Sequence, residues 1–167
     1  MRALILAAGR GERMRPLTDA TPKPLLPAGG RPLVHRQVER LVAGGFTELV
    51  VNHSHLGAMI EASLGDGASL GARIRYSHDP RALETAGGVA QALHLLGAEP
   101  FAVVSADIHT DFDYASLAPR IAAIARDPAR HAAHFVLVDN PPYHPGGDMS
   151  LDGGRVTADC RLPTDDC

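Results

Sequence analysis

Short apolar runs recur along this chain with helix-periodic segments between them, and that alternation limits the fold more than any other feature. The first run, residues 2–7, centres on Leu4, Ile5 and Leu6 and ends at Ala7-Ala8-Gly9. Runs of this length without polar interruption fit strands covered on both faces. Further strands are predicted at 47–53, around Leu49-Val50-Val51, at 73–77, at 101–105 and, fifth, at Phe135-Val136-Leu137-Val138. A helix starting near Pro32 carries Val34, Val38 and Leu41 on one face and stops at Gly44-Gly45. A second spans about 55–64, stopped by Gly65-Asp66-Gly67; a third opens near Gly87-Gly88 with Val89, Leu93 and Leu96 on one side. Asp113 is placed to cap a fourth that runs through Ala125. Strands alternating with helices predict an α/β fold with a mostly parallel sheet flanked by helices. From Pro141 the pattern decays into turns. Residues 1–156 are read as one domain. Residues 157–167 are read as a loosely packed tail, since Asp159, Asp165 and Asp166 stand there with few apolar neighbours. Such a segment cannot offset roughly 1–2 kcal/mol of backbone entropy per ordered residue.

Composition narrows the function classes. At 167 residues, 45% hydrophobic and 21% charged, the chain is long and apolar enough to bury a core without staples. Cys160 and Cys167 form no metal-ligand spacing, and the apolar run at 3–8 is too short for a signal peptide or a membrane span, so a cytoplasmic setting is expected. The net charge of -3 conceals an asymmetry: residues 1–36 hold seven basic residues against Glu12 and Asp19. Basic charge packed around one glycine-rich segment suits a compact polyanion such as a triphosphate. A nucleic-acid surface would show a wider basic stripe with interleaved aromatics, and aromatics are only 4%. Lys23 is the only lysine among sixteen Lys and Arg residues, and it sits between Pro22 and Pro24. An ammonium is a compact point charge and a guanidinium a planar fork, so this position is expected to need the former.

Residues 9–30 form a long irregular stretch punctuated by Pro16, Pro22, Pro24 and Pro27. Connections of that length are usually functional. In open α/β sheets ligands bind beyond the C-terminal ends of strands, which is where this loop, residues 84–88 and Asp107 all fall. Glycines allow backbone N–H groups to approach phosphate oxygens, while Arg13 and Lys23 supply cations. No Gly-Lys-Ser/Thr follows, so this is no Walker A loop, and Met14 occupies the place of a dinucleotide fingerprint's third glycine. Asp107 reads as a metal ligand or a turn residue, Glu84-Thr85 as a site element or a helix cap, and Asp111 stays open. His53-x-His55 and His131-x-x-His134 lack an HExxH motif or a Cys/His framework, so zinc is not expected. Glu48, Glu61 and Arg40 read as ordinary solvated charges, and the two cysteines as free surface thiols.

The string Gly9-x-Gly11-x-Arg13-Met14-x-Pro16-Leu17-Thr18, followed by Pro22-Lys23-Pro24, resembles the sugar-1-phosphate nucleotidyltransferases. The likeness continues through Asn52-His53, Leu64-Gly65-Asp66-Gly67, Leu83-Glu84-Thr85-Ala86-Gly87-Gly88, Ala106-Asp107 and Leu137-Val138-Asp139-Asn140-Pro141, covering about residues 1–150. It is greatest to the bacterial N-acetylmuramate α-1-phosphate uridylyltransferases of peptidoglycan recycling. The resemblance implies a Rossmann-like, glycosyltransferase-A-like fold that transfers a nucleoside monophosphate, from UTP above all, to a sugar 1-phosphate with release of pyrophosphate. It implies nucleotide contacts at Ala7, Ala8, Gly9, Gly11, Arg13, Lys23, Asn52, Gly87 and Gly88, substrate contacts at Glu84 and Asp107, catalytic roles for Arg13, Lys23 and Asp107, and Mg²⁺ on Asp107. Guanylyl or thymidylyl transfer and a non-catalytic nucleotide-binding remnant are the alternatives. The resemblance also implies a longer chain with a second metal-binding aspartate. The 167 residues are therefore expected to bind nucleotide weakly and transfer little.

Overall fold

The structure, a computed structural model, describes residues 1–80 and 83–158. In chain order the elements are β1 (Arg2–Leu6), α1 (Leu17–Ala20), β2 (Pro27–Ala28), β3 (Arg31–Pro32), α2 (Leu33–Ala43), β4 (Glu48–His53), α3 (Gly57–Leu64), β5 (Arg73–His78), α4 (Glu84–Leu96), β6 (Ala102–Ser105), α5 (Ala118–Arg126), β7 (Met149–Asp152) and β8 (Arg155–Ala158). The chain divides into two compact units, Met1–Arg130 and His131–Cys167.

The first unit is built on a four-stranded sheet in the order β5-β4-β1-β6. Every pairing in it is parallel: Leu4 lies opposite Val50 on one side and Val103 on the other. The apolar runs become strands because both faces of the sheet are covered. Ala3, Ile5, Leu49 and Val51 point to the face that packs Val34, Val38 and Leu41 of α2 and Ile60 of α3. Leu4 and Val50 point to the other face, against Ala92 and Leu96 of α4. Each fully buried Leu or Ile contributes about 1.5–3 kcal/mol relative to exposure. Strand order runs outward from β1 in one direction to β4 and β5, then restarts on its other flank with β6. That reversal opens a crevice beyond the C-terminal ends of β1 and β6.

Several charged residues read as solvated have specific partners. Glu48 pairs bidentately with Arg73 across the β4–β5 edge, at 2.7–3.1 Å, and these hydrogen bonds hold its carboxyl below the usual value. Arg40 Nη2 donates to the Phe112 carbonyl at 2.9 Å. His53, only 3% exposed, brings Nε2 within 2.7 Å of Glu61 Oε1, off the angle of a hydrogen bond. Asp113 caps as expected, accepting from Ala115 N at 2.9 Å ahead of α5.

In the second unit the expected fifth strand does not form. Phe135, Val136, Leu137 and Val138 make no ladder and are 50, 47, 40 and 86% exposed. An apolar run becomes a strand only when a neighbouring strand takes its N–H and C=O groups, and among the described residues none does. Where only turns were expected, β7 and β8 instead form an antiparallel hairpin, pairing Asp152 with Arg155 around Gly153-Gly154. Both glycines have positive φ, 53° and 79°, as a two-residue hairpin turn of the primed type requires. Most of the expected tail, including Cys160 and Cys167, lies outside the described residues.

Candidate functional site

A cleft of about 610 Å³ opens at the strand-order reversal. Its walls come from four places: residues 6–14 after β1, Lys23 and Pro24, Asn52 at the end of β4 with residues 83–85 at the start of α4, and residues 105–107 after β6. Ala7, Ala8, Gly9, Gly11, Arg13, Lys23, Asn52, Glu84 and Asp107 therefore converge, although the chain separates them by up to 100 residues. Gly87 and Gly88 stand one layer back, in the first turns of α4. A Cβ on Gly87 would fall 2.6 Å from Leu83 Cβ, and one on Gly88 3.3 Å from the Asn52 amide. Their small size lets α4 seat against Leu83 and Asn52, which carry the cleft wall.

Local geometry explains the loop's residues. Gly11 has φ 70°, and a Cβ there would meet Thr18 Cγ2 at 3.0 Å and Lys23 Cβ at 3.1 Å. The Thr18 hydroxyl donates to the Gly11 carbonyl at 2.9 Å, tying the loop to α1. Met14 N donates to the same carbonyl, closing a single tight turn over Glu12–Met14. A Cβ on Gly9, by contrast, would meet no atom within 4 Å, so its missing side chain leaves the backbone bare toward the cleft. Lys23 is held by its backbone, where Leu25 N donates to the Pro22 carbonyl and Leu26 N to the Lys23 carbonyl, at 2.8 and 3.1 Å.

The electrostatics are more balanced than the basic N-terminus suggests. Arg10, Arg13 and Lys23 line the cleft, but so do Glu12, Glu84 and Asp107. Lys23 Nζ donates directly to Asp107 Oδ2. Arg10 and Arg13 enter no ion pair among the described residues, whereas Arg15 pairs with Asp19 at 2.7 Å. Asn52 is 1% exposed, yet its Nδ2 has no hydrogen-bond partner among the described residues. A buried donor without a partner costs about 1–3 kcal/mol, so its presence in a cleft wall favours a polar ligand.

Two features of this region carry no sequence signal. Glu84 adopts φ 57°, in the left-handed region where a Cβ is strained. Asp79, just past β5, is 0% exposed, and neither carboxylate oxygen has a hydrogen-bond partner among the described residues. Strand ends are legible in a sequence, but the burial of one carboxylate depends on what packs over it.

No described group of three or more His, Cys, Asp or Glu side chains is arranged to hold a metal ion. Asp107 alone fits a hard cation that binds through one or two carboxylates and completes its shell with water and substrate phosphates, as Mg²⁺ does. It would not fit zinc, which needs three or four protein ligands.

Comparison with known proteins shows the family. The chain is 54% identical over 152 residues to an N-acetylmuramate α-1-phosphate uridylyltransferase from Neisseria meningitidis serogroup B, matching 90% of this chain and 64% of that protein. It is 37% identical over 155 residues to the protein of the same name from Caulobacter vibrioides, covering 89% of this chain and 64% of that one. The chain thus spans just under two thirds of the length of these relatives. A Bacillus anthracis structure bearing the name glucose-1-phosphate thymidylyltransferase, in complex with a sucrose, superposes with TM-score 0.69 at 26% identity, over 74% of this chain and 50% of that one. Residues 2–157 match the nucleotidyl transferase family, to which this chain therefore belongs.

Proposed function

We propose that the chain carries the nucleotide-binding part of an enzyme that transfers UMP from UTP to N-acetylmuramate α-1-phosphate, releasing pyrophosphate, in cytoplasmic recycling of peptidoglycan. The observation that carries this reading is the meeting of the glycine- and arginine-rich loop, Lys23 and Asp107 in one cleft at the strand-order reversal. The choice of uracil and of this sugar rests on the 54% identity to the Neisseria relative.

In the reaction an oxygen of the sugar phosphate attacks the α-phosphorus of the nucleotide in line with the departing pyrophosphate. The attacking phosphate is already ionised at neutral pH, so the chain need not supply a base. Its work is positioning and charge neutralisation. Ala7, Ala8 and Gly9 lie along base and ribose, where the bare Gly9 backbone admits close approach. Gly11 and Arg13 hold the triphosphate, and Arg13 balances charge on the leaving pyrophosphate. Lys23 stabilises charge at the reacting phosphorus. Asn52 gives to the nucleotide its amide N–H, which has no partner among the described residues, while Gly87 and Gly88 set that wall's distance. Glu84 contacts the substrate or braces this wall. Asp107 would hold Mg²⁺, which when bound supplies charge neutralisation to phosphate oxygens.

Binding is the direct test, because it needs only the cleft described above. Calorimetry with the four nucleoside triphosphates in Mg²⁺ should give the tightest binding with UTP. A pyrophosphate-release assay with several sugar 1-phosphates should favour N-acetylmuramate α-1-phosphate. Preference for GTP or dTTP would move the reading to guanylyl or thymidylyl transfer, and binding with no release under any pairing would favour a binding module. Replacement of Lys23 by Ala in an active preparation should lower kcat by about 10²–10³, the cost of one preorganised donor.

A further inference from the structure

The two groups given separate tasks above, Lys23 for phosphate and Asp107 for a cation, lie 84 residues apart and are bonded to each other. We propose that this pair is a clasp across the cleft, and that a divalent cation arriving at Asp107 frees Lys23 to take phosphate. The inference rests on the assignment of Asp107 to a cation and Lys23 to phosphate.

Both ends of the clasp have fixed backbones, so opening it needs only side-chain rotation. Lys23 is flanked by prolines, with Pro24 buried and the wall of Gly11 against its Cβ. Asp107 follows Ala106, which is 1% exposed and whose N–H donates to the Leu6 carbonyl at 3.0 Å. The side chains themselves are 30 and 31% exposed, open enough for a hydrated cation to reach the carboxylate. An ammonium and a divalent cation compete for the same carboxylate charge. Once the cation sits there, like-charge repulsion pushes Nζ away from Asp107 and toward entering phosphate.

The clasp also explains why this position is lysine in a chain otherwise furnished with arginine. The Lys23 contact involves Oδ2 of Asp107 alone. A guanidinium would engage both carboxylate oxygens as a fork and hold the cation out. A point charge on one oxygen can be displaced.

The sole lysine makes the test spectroscopically simple, since ¹⁵N-lysine labelling gives one side-chain ammonium signal. In nucleotide-free protein, stepwise Mg²⁺ should move or broaden that signal saturably, and Asp107→Asn should abolish the response. Mn²⁺ binding followed by electron paramagnetic resonance, again without nucleotide, should then rank the variants. Lys23→Ala should bind Mn²⁺ about two- to fivefold more tightly than the parent chain, the scale of losing a partly exposed ion pair. Lys23→Arg should bind it more weakly than the parent. Equal affinity in all three, or a lysine signal indifferent to Mg²⁺, would overturn the clasp while leaving UTP binding intact. Unchanged Mn²⁺ binding in Asp107→Asn would instead remove the cation from Asp107 and with it the assignment of the site.

Discussion

Two apolar tetrads in this chain have met opposite ends. Ala3-Leu4-Ile5-Leu6 in β1 is almost wholly buried, with Ala3, Leu4 and Ile5 at 0% exposure, whereas Phe135-Val136-Leu137-Val138 is 40–86% exposed. Their compositions are nearly interchangeable, and the second is if anything richer in strand-favouring residues. The difference is neighbours. β1 has a parallel partner on each side and helices over both faces, while none of the described residues 131–157 of the second unit is buried. Local hydrophobicity proposes a strand; paired backbone and a covered face make one.

Core truncation should divide the two regions most widely. Ile5→Ala should cost about 2–5 kcal/mol in chemical denaturation, the usual cost of a buried large-to-small change. Val138→Ala should stay within about 0.5 kcal/mol, as exposed substitutions do. A large loss from Val138→Ala would break the comparison, because it would mean that something buries that segment.

Glycines sharpen the contrast at the next level. A Cβ on Gly57 at the start of α3 would lie 1.9 Å from Nδ1 of the buried His53, while one on Gly153 would meet nothing within 4 Å. Gly57→Ala should therefore lower stability by about 1–3 kcal/mol through overpacking. Gly153→Ala carries only the strain of its positive φ, about 1–2 kcal/mol within the hairpin, and should leave the thermal unfolding of the first unit unmoved. Equal effects of the two on that transition would show that the hairpin and the sheet unfold as one.

Glu84 offers a smaller change of opposite sign. Glu84→Gly removes a side chain from a left-handed backbone position and should raise stability by up to about 1 kcal/mol, offset in part by glycine's greater unfolded-state entropy. If Glu84 is retained for the substrate, the same variant should lose affinity or turnover. A stabilised variant with unaltered substrate behaviour would reduce Glu84 to a structural residue.

The smallest effect concerns Glu48. Hydrogen bonds from Arg73 keep its carboxyl below the ordinary value near 4.5. A carboxyl whose folded-state value is depressed adds stability above its unfolded value, and that stability is lost as pH falls through the folded one. Glu48→Gln should make the acid limb of the stability profile slightly shallower below about pH 4.5 and leave its shape unchanged between pH 6 and 8. Because Arg73's side chain is 74% exposed, solvent screens the pair and the change should sit near the limit of detection.

Much of the cleft was legible in advance because glycines, prolines and strand ends leave short-range marks. The turn at Gly11, the strand ending at Leu6 and the placement of Asp107 after β6 follow from local sterics and period. The Gly153-Gly154 hairpin was also readable, since two glycines between short extended segments are a turn signal that the surrounding disorder of pattern obscured. The basic surplus of residues 1–36 is a count and not a field, because Glu12, Glu84 and Asp107 come from three different places to line the same cleft. Glu61 looked like any solvated helix charge until the end of β4 brought His53 to it.

By itself the sequence determined, over residues 1–130, the alternation of strands and helices, their approximate ends and the loop chemistry that marks the family, all consequences of forces acting within a few residues. Only the tertiary structure decided that Lys23 meets Asp107, that Asn52 and Asp79 are buried with polar atoms unpartnered among the described residues, and that 135–138 stays in solvent. Those outcomes depend on strand order and on what covers each face. Residues distant in the chain set both, and no local pattern encodes which of them will meet.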